Sequence, residues 1–141
     1  MDFANTALPT FDQMLGTLDH LLAKAAADPR GDALMTARLA ADMHPLATQI
    51  RFSTAQVVNT LNRLAGASAV SQDSDHGSIA DARGHVAHIR ALVAATPADA
   101  FVAEDSAVAF DLPNGMAFRM TAAEYLRDWS LPQFYFHVTT A

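Results

Sequence analysis

The 141-residue sequence contains no cysteine, so disulfides, thiolate metal ligands and cysteine nucleophiles are excluded. Positive charge is also scarce, because nine lysines and arginines stand against fifteen acidic residues and leave a net charge of −6 at pH 7. Nucleic-acid binding requires clustered cations that neutralise phosphates. We therefore do not expect a nucleic-acid partner.

Long apolar runs are absent as well, since no stretch approaches the roughly 20 apolar residues that a membrane-spanning helix needs. The first residues, Met1 to Asn5, include neither the basic region nor the apolar core of a signal peptide. These features predict a cytoplasmic protein without a membrane partner. The length is typical of a single domain, here 1–141.

Charged residues make up only 17% of the chain, whereas 51% of its residues are hydrophobic. Typical domains are about 25% charged. A surface with so little charge indicates that another subunit covers part of it, so we expect a homodimer.

The most regular helical pattern lies between Ala37 and Gly66. Asp42 is expected to accept a backbone N–H at the helix start, Pro45 suits the first turn, and Gly66 suits the left-handed residue that often follows a helix. The pattern predicts a helix over 43–65. One face carries side chains spaced by three or four residues, all apolar except one: Leu46, Ile50, Thr54, Val57, Leu61 and Leu64.

A second face of the same helix is polar but uncharged, and it consists of Gln49, Ser53, Gln56 and Thr60. Most polar helix faces are in contact with water, so we interpret this stripe as a partly solvated flank. The alternative is that it forms the wall of a polar cleft between helices.

Capping signals place two further helices. A capping box of Thr10 with Gln13 predicts that the first helix begins after a lead-in that ends at Pro9. Ser78 is expected to begin the third helix, and a short helical turn is expected within 33–41.

The last third of the chain begins with a predicted β-hairpin at Asn114-Gly115, a pair that favours tight hairpin turns. A second capping box, Thr121 with Glu124, begins the fourth helix, which Pro132 is expected to kink or break. These elements predict an all-α fold, an up-down four-helix bundle with a small β-hairpin before the last helix.

Two segments resemble the signatures of a known family. The first, Arg38-Leu39-x-x-Asp42-Met43-x-Pro45-Leu46-x-x-Gln49, resembles the second-helix signature of the DUF1993 family. The second, Leu131-Pro132-Gln133-Phe134-Tyr135-Phe136-His137-Val138-Thr139-Thr140-Ala141, resembles its fourth-helix signature. The resemblance covers essentially the whole chain and implies a DinB/YfiT-like four-helix bundle. The family usually has asparagine at the position of Gln133 and continues beyond that of Ala141, so we expect its C-terminal end to be missing here.

The resemblance implies no established activity for this family. Its DinB-like relatives often bind a divalent metal through three histidines, one on the second helix and a His-x-x-x-His pair on the fourth. Some of these relatives act as thiol-dependent transferases or hydrolases. His137 matches the first member of the pair, but Ala141 stands at the second position, so the pair is broken.

His137 has two interpretations. In the first, it is a buried histidine that hydrogen-bonds Asp42 or a backbone carbonyl, fixes helix packing and binds no cofactor. In the second, Asp42, His44 and His137 coordinate a divalent metal. Three further candidates are Arg38, Gln49 and Trp129. They either hold the helices in register or line a small-molecule cleft between the second and fourth helices.

The remaining histidines are assigned no function. Asp81, His85 and His88 share one face of the third helix, which we interpret as solvated. His20 and His76 are expected at the surface.

No catalytic residue is assigned, because the sequence contains neither Gly-x-Ser-x-Gly nor a phosphate-binding glycine loop. Our first hypothesis is a metal-free, dimeric binding or interaction module with a small-molecule ligand. The alternative is a metal-dependent transferase or hydrolase that acts on a small thiol or another small molecule.

Overall fold

Four helices and one hairpin make up the regular structure of residues 2–141, the part of the chain that the computed structural model describes. The helices are α1 (Phe3–Ala27), α2 (Leu46–Leu64), α3 (Ile79–Ala95) and α4 (residues 122–140), and the strands are β1 (Ala107–Asp111) and β2 (Ala117–Thr121). Two 3₁₀ segments, Gly31–Thr36 and Ala98–Ala100, lie in the connections. The predicted helical bundle with a hairpin before the last helix is confirmed.

The main contacts of the bundle join α1 to α3 and α2 to α4, and smaller contacts join α2 to α3 and α1 to α4. α1 and α2 therefore lie diagonally opposite each other in the bundle. The connection over 28–45 spans the distance between them. One apolar core fills the space between the helices and includes Phe11, Leu15, Ile50, Leu61, Ile89 and Phe134, all fully buried. Within residues 2–141, no helix has both the length and the hydrophobicity to cross a membrane.

α1 begins at Phe3, so the predicted start after Pro9 is wrong. Asp2 caps the helix, because its Oδ1 accepts the N–H of Ala4 at 3.0 Å. Ala4 and Ala7 are fully buried against the core, whereas Pro9 lies inside the helix on its exposed side. Burial of these extra turns outweighs the one backbone hydrogen bond that a proline removes.

α2 begins at Leu46, and Pro45 rather than Asp42 occupies the position before it. Asp42 is exposed, and no side chain caps this helix, so the predicted cap is wrong. A residue before proline favours extended backbone, which prevents His44 from joining the first turn. The helix end agrees with the prediction, since Gly66 follows it with a φ of 67°.

α4 is helical throughout, so Pro132 does not break it. The predicted capping box of Thr121 and Glu124 begins the helix. Hydrogen bonding then changes from α to π over Tyr125–Ser130 and returns to α over Leu131–Thr140. Pro132 lies in the first turn after the π stretch, where its missing N–H costs little.

The predicted start of α3 and the predicted hairpin turn are both confirmed. Ser78 Oγ accepts the N–H of Asp81 at 3.1 Å and caps α3. β1 and β2 pair antiparallel, and Gly115 in the turn has a φ of 86°, which glycine adopts without strain.

The hairpin packs an aromatic face onto α2 and α4. Trp129 contacts the rings of Phe110 and Phe118, with centroid distances of 5.1 and 4.9 Å. Arg63 of α2 lies 4.2 Å from the centre of the Phe110 ring and donates to the hydroxyl of Tyr125 at 2.9 Å. These contacts hold the hairpin on the bundle, since a lone two-stranded hairpin is marginally stable in water.

Candidate functional site

A seam of polar side chains runs between α2 and α4. Gln49, Ser53 and Thr60 project from α2 and are 1%, 0% and 0% exposed, while Gln56 is half-buried. The predicted solvated flank is therefore wrong, and the stripe lies inside the helix interface instead. We call this stripe, together with Ser130 and His137 of α4, the α2–α4 seam.

His137 is joined to Gln49 across this seam. Its Nδ1 lies 2.7 Å from Oε1 of Gln49, and its side chain is only 8% exposed. A carbonyl oxygen only accepts hydrogen bonds, so Nδ1 carries the proton and donates. The lone pair of the neutral ring is then at Nε2, which has no hydrogen-bond partner among residues 2–141.

Burial lowers the pKa of His137 below its ordinary value of 6.5, and the neighbouring His44 lowers it further. The folded protein therefore favours the neutral form of this ring. A neutral imidazole with its proton on Nδ1 presents Nε2 as an acceptor, either for a hydrogen bond or for a metal ion.

Aromatic side chains connect the seam to the molecular surface. Phe52 contacts the rings of His137 and His44, at centroid distances of 5.2 and 5.1 Å. Phe136 lies 5.2 Å from His137 and is 54% exposed. The guanidinium of Arg51 lies 4.8 Å from the centre of the Phe52 ring. The outer edge of the seam is therefore aromatic and partly open to solvent.

The far end of the seam is closed by a hydroxyl pair. Thr60 and Ser130 are fully buried and hydrogen-bonded to each other, which gives Ser130 a partner other than His137. Thr60 also donates to the carbonyl of Gln56 at 2.7 Å, so Ser130 is the donor within the pair. Oε1 of Gln56 is buried and has no partner among residues 2–141, which leaves one free acceptor in the seam.

The structure separates the other predicted site residues from this seam. Nη1 of Arg38 donates to the carbonyl of Met43 at 2.6 Å, in the connection before α2. Asp42 is exposed, and His137 is bonded to Gln49 instead. The predicted hydrogen bond between Asp42 and His137 is therefore wrong. Trp129 packs on the hairpin. Of the five predicted motif residues, only Gln49 and His137 touch each other through a hydrogen bond.

The residues predicted for a metal site do not form one set of ligands. Within residues 2–141, no group of three or more histidine, aspartate or glutamate side chains is arranged to hold a metal ion. The ring of Phe52 contacts both His44 and His137, and Ala141 has no ligand atom in its side chain. These residues do not fit the three-ligand metal site that the resemblance implies.

A cavity of about 300 Å³ lies between the connection before α2 and the end of α4. Its lining combines the basic side chains of Arg38 and His44 with apolar ones, among them Leu39, Leu46 and Ala141. This volume is at the lower end of the range for small-molecule sites.

The contacts of the α2–α3 connection were missed by sequence reasoning. Asp75 accepts hydrogen bonds from Oγ1 of Thr48 at 2.6 Å and from Nε of Arg51 at 2.7 Å. Burial acts to raise the pKa of Asp75, but the hydrogen bonds from Thr48 and Arg51 outweigh it and hold the pKa below 3.8. No local sequence signal exists for a pairing between residues so distant in the chain.

Two histidines pack together beneath the same connection. The rings of His76 and His85 lie 5.0 Å apart, and Nε2 of His85 is 3.2 Å from Oγ1 of Thr54. Both are half-buried rather than fully solvated, whereas Asp81 and His88 are exposed as predicted. Burial, followed by the charges of His76 and His88, lowers the pKa of His85 below 6.5. Nε2 of His76 is buried without a partner among residues 2–141.

Comparison with family models shows where this sequence belongs. The model of DUF1993, a domain of unknown function, matches residues 3–141. The chain belongs to the DUF1993 family. Both signature segments of this DUF1993 chain lie within the match, so the resemblance that they indicated is confirmed. No curated protein matches the chain.

The DUF1993 chain is also similar to a solved structure, that of a DinB family member protein from Shewanella denitrificans. The TM-score is 0.83 at 24% sequence identity, and the match covers 98% of this chain and 81% of that chain. At this identity the likeness shows the fold alone, which is DinB-like.

Proposed function

We propose that this DUF1993 chain is a metal-free, dimeric binding module that takes a small molecule in the cleft between α2 and α4. The observation that carries the proposal is the cavity of about 300 Å³ formed by the connection before α2, the first residue of α2 and the end of α4. A cytoplasmic location is part of the proposal and follows only from the sequence.

The ligand contacts available in the cavity are of two kinds. Arg38 uses Nη1 for the carbonyl of Met43, and its other N–H groups are available to a ligand. Leu39 and Leu46 offer apolar surface, with Leu39 71% exposed. Charged hydrogen bonds orient a ligand while apolar contacts supply most of its burial.

Ligand binding can be tested by thermal shift with a library of small polar compounds. We expect hits that raise the Tm of the wild type and lose their effect in Arg38→Gln. Arg119→Gln is the matched control, because Arg119 is an exposed arginine on β2. Hits that act equally on both variants would place the ligand elsewhere, and a library without hits would contradict the proposal.

A metal-free module agrees with the surroundings of His137. Within residues 2–141, no group of three or more histidine, aspartate or glutamate side chains is arranged to hold a metal ion, and Ala141 supplies no ligand atom one turn after His137. Elemental analysis of protein purified without chelators or a histidine tag is expected to find less than about a tenth of an equivalent of metal per chain.

The alternative function is a metal-dependent transferase or hydrolase that acts on a small thiol or another small molecule. It is favoured by one observation, the unpartnered Nε2 of His137. About one equivalent of zinc, nickel or iron per chain, lost in His137→Gln, would support this alternative and contradict the metal-free module.

Dimer formation is supported by the surface of α4. Tyr135 and Phe136 are 43% and 54% exposed, and aromatic side chains of this kind are enriched in protein interfaces. In sedimentation we expect a species of twice the 15.0 kDa chain mass at micromolar concentration. Phe136→Gln is expected to shift it to the monomer. Leu21→Gln, at a 44% exposed leucine of α1, is the control. A monomeric wild type would contradict the dimer.

A further inference from the structure

The connection between α2 and α3 is attached to the bundle by a small number of side chains. Near its start, the amide of Asn62 exchanges two hydrogen bonds of 2.9 Å with the backbone of Ala69. Near its end, Asp75 accepts from Thr48 and Arg51. Residues 66–76 form no helix or strand. Segments held in this way open locally at a lower free energy than the core.

The His76–His85 contact adds a titratable attachment beside Asp75. Thr54 donates its hydroxyl proton to the carbonyls of Ile50 and Arg51, so its oxygen accepts from Nε2 of His85. A second proton on His85 must therefore add at Nδ1 and make the ring a cation. The ring of His76 is 5.0 Å away and has a buried, unpartnered Nε2 among residues 2–141.

The charged groups around this pair do not compensate a cation on His85. The connection contributes Asp73 and Asp75, α2 contributes Arg51, α3 contributes Asp81 and His88, and the 3₁₀ segment Gly31–Thr36 contributes Asp32, which accepts the N–H of Ile79. Asp75 is already paired with Arg51 and makes no hydrogen bond to either ring. Asp32, Asp73 and Asp81 are exposed, so water screens their charges, whereas His76 and His88 disfavour the charged form of His85. A proton on His85 therefore places a cation beside the ring of His76, with no carboxylate paired to it.

We propose that His76 and His85 form an acid-operated latch, which holds the α2–α3 connection on the bundle while the ring of His85 is neutral and releases it when that ring is protonated. The lowered pKa of His85, caused first by burial and then by His76 and His88, agrees with a folded state that favours the neutral ring.

The latch is connected to the α2–α4 seam through successive contacts. Asp75, next to His76, holds Arg51, and Arg51 lies over the ring of Phe52. Phe52 in turn contacts His137. Release of the connection frees Arg51 from its carboxylate and so alters the outer edge of the seam. Acidification therefore changes the accessibility of this edge without unfolding the bundle.

Hydrogen exchange measured by mass spectrometry, corrected for the intrinsic pH dependence of exchange, tests the latch. Between about pH 7.5 and 5.5 we expect the protection of residues 66–78 to fall severalfold, because the folded state disfavours the charged form of His85 and the open state does not. Peptides of the β1–β2 hairpin are expected to keep their protection. The double variant His76→Phe, His85→Gln retains a ring and a donor to Thr54, and its protection should not depend on pH in this interval.

His20→Gln is the matched control, because His20 is an exposed histidine of α1 whose charge does not act on His85, and it should behave as the wild type. An equal loss of protection in the double variant, or none in the wild type, would overturn the latch. A loss shared by α1 would also overturn it, because that is global unfolding. Should the double variant fail to fold, histidine NMR of the wild type provides the second measurement. The ring of His85 must become protonated in the pH interval where the connection opens, and opening while that ring is neutral overturns the proposal.

Discussion

Nδ1 of His137 and Oε1 of Gln49 lie 2.7 Å apart and join residues separated by 88 positions in the chain. Gln49 closes the second-helix signature and His137 lies in the fourth-helix signature. One buried hydrogen bond therefore connects the two segments that relate the chain to DUF1993. It sets the tautomer of the histidine and ties α2 to α4.

Removing the acceptor in this bond should destabilise the protein. Gln49→Leu leaves the buried N–H of His137 without a partner, which costs about 1–3 kcal/mol of unfolding free energy. Urea unfolding measures the loss. Gln13→Leu, at an exposed glutamine of α1, is the control and should change stability by less than about 0.5 kcal/mol. Equal stability of the two variants would show that the bond makes no net contribution.

The contact of Arg63 with the hairpin should also contribute to stability. Arg63→Met keeps the length of the side chain but loses the cation over Phe110 and the donor to Tyr125, at a cost of about 1–3 kcal/mol. A double-mutant cycle with Tyr125→Phe should give a coupling energy of about 0.5–1.5 kcal/mol. Independent effects of the two changes would contradict the contact.

Replacement of Pro9 tests the observed start of α1. If the helix begins at Phe3, Pro9→Ala restores a backbone donor in its interior and should raise stability by about 1–3 kcal/mol. Pro113→Ala, in the hairpin loop, is the control. If Pro9→Ala leaves the stability unchanged, the helix begins after residue 9, and the observed start of α1 at Phe3 is contradicted.

Stability should fall in two separate stages as the pH decreases. The pKa values of His85 and His137 are lowered, so the unfolded chain binds protons more readily and the free energy of unfolding falls as the pH drops below about 6.5. The pKa values of Asp19 and Asp75 are also lowered, and their contribution is lost only below about pH 3.8. Urea unfolding across the pH range should show both stages. With His85→Gln and His137→Gln combined, the first stage should disappear.

The fold could be predicted from sequence where its causes are local. Ser78, the Thr121 and Glu124 box, and Gly115 act within a few residues of their own position, and each was placed correctly. The start of α1 could not be predicted, because the burial of Ala4 against distant helices overrides the local signal of Pro9.

The candidate site was predicted only in part for the same reason. The spacing of Gln49 and Thr60 shows that they share a face, but burial of that face depends on α4, whose partner atoms lie far along the chain. The contact of His76 with His85 depends on the course of the α2–α3 connection, which has no periodicity. The expected position of Asp42 near the start of the second helix is what makes it a predicted partner of His137, but the helix begins only after Pro45 and leaves Asp42 outside α2.

The tautomer of His137 tests the central claim most directly, and long-range ¹⁵N–¹H NMR of ¹⁵N-histidine-labelled protein measures it. Near pH 7 the account predicts a neutral ring with its proton on Nδ1, and Gln49→Leu is expected to shift the resonances of His137 but not those of the exposed His20. A proton on Nε2, or a charged ring at this pH, would contradict the bond to Gln49 that ties α2 to α4.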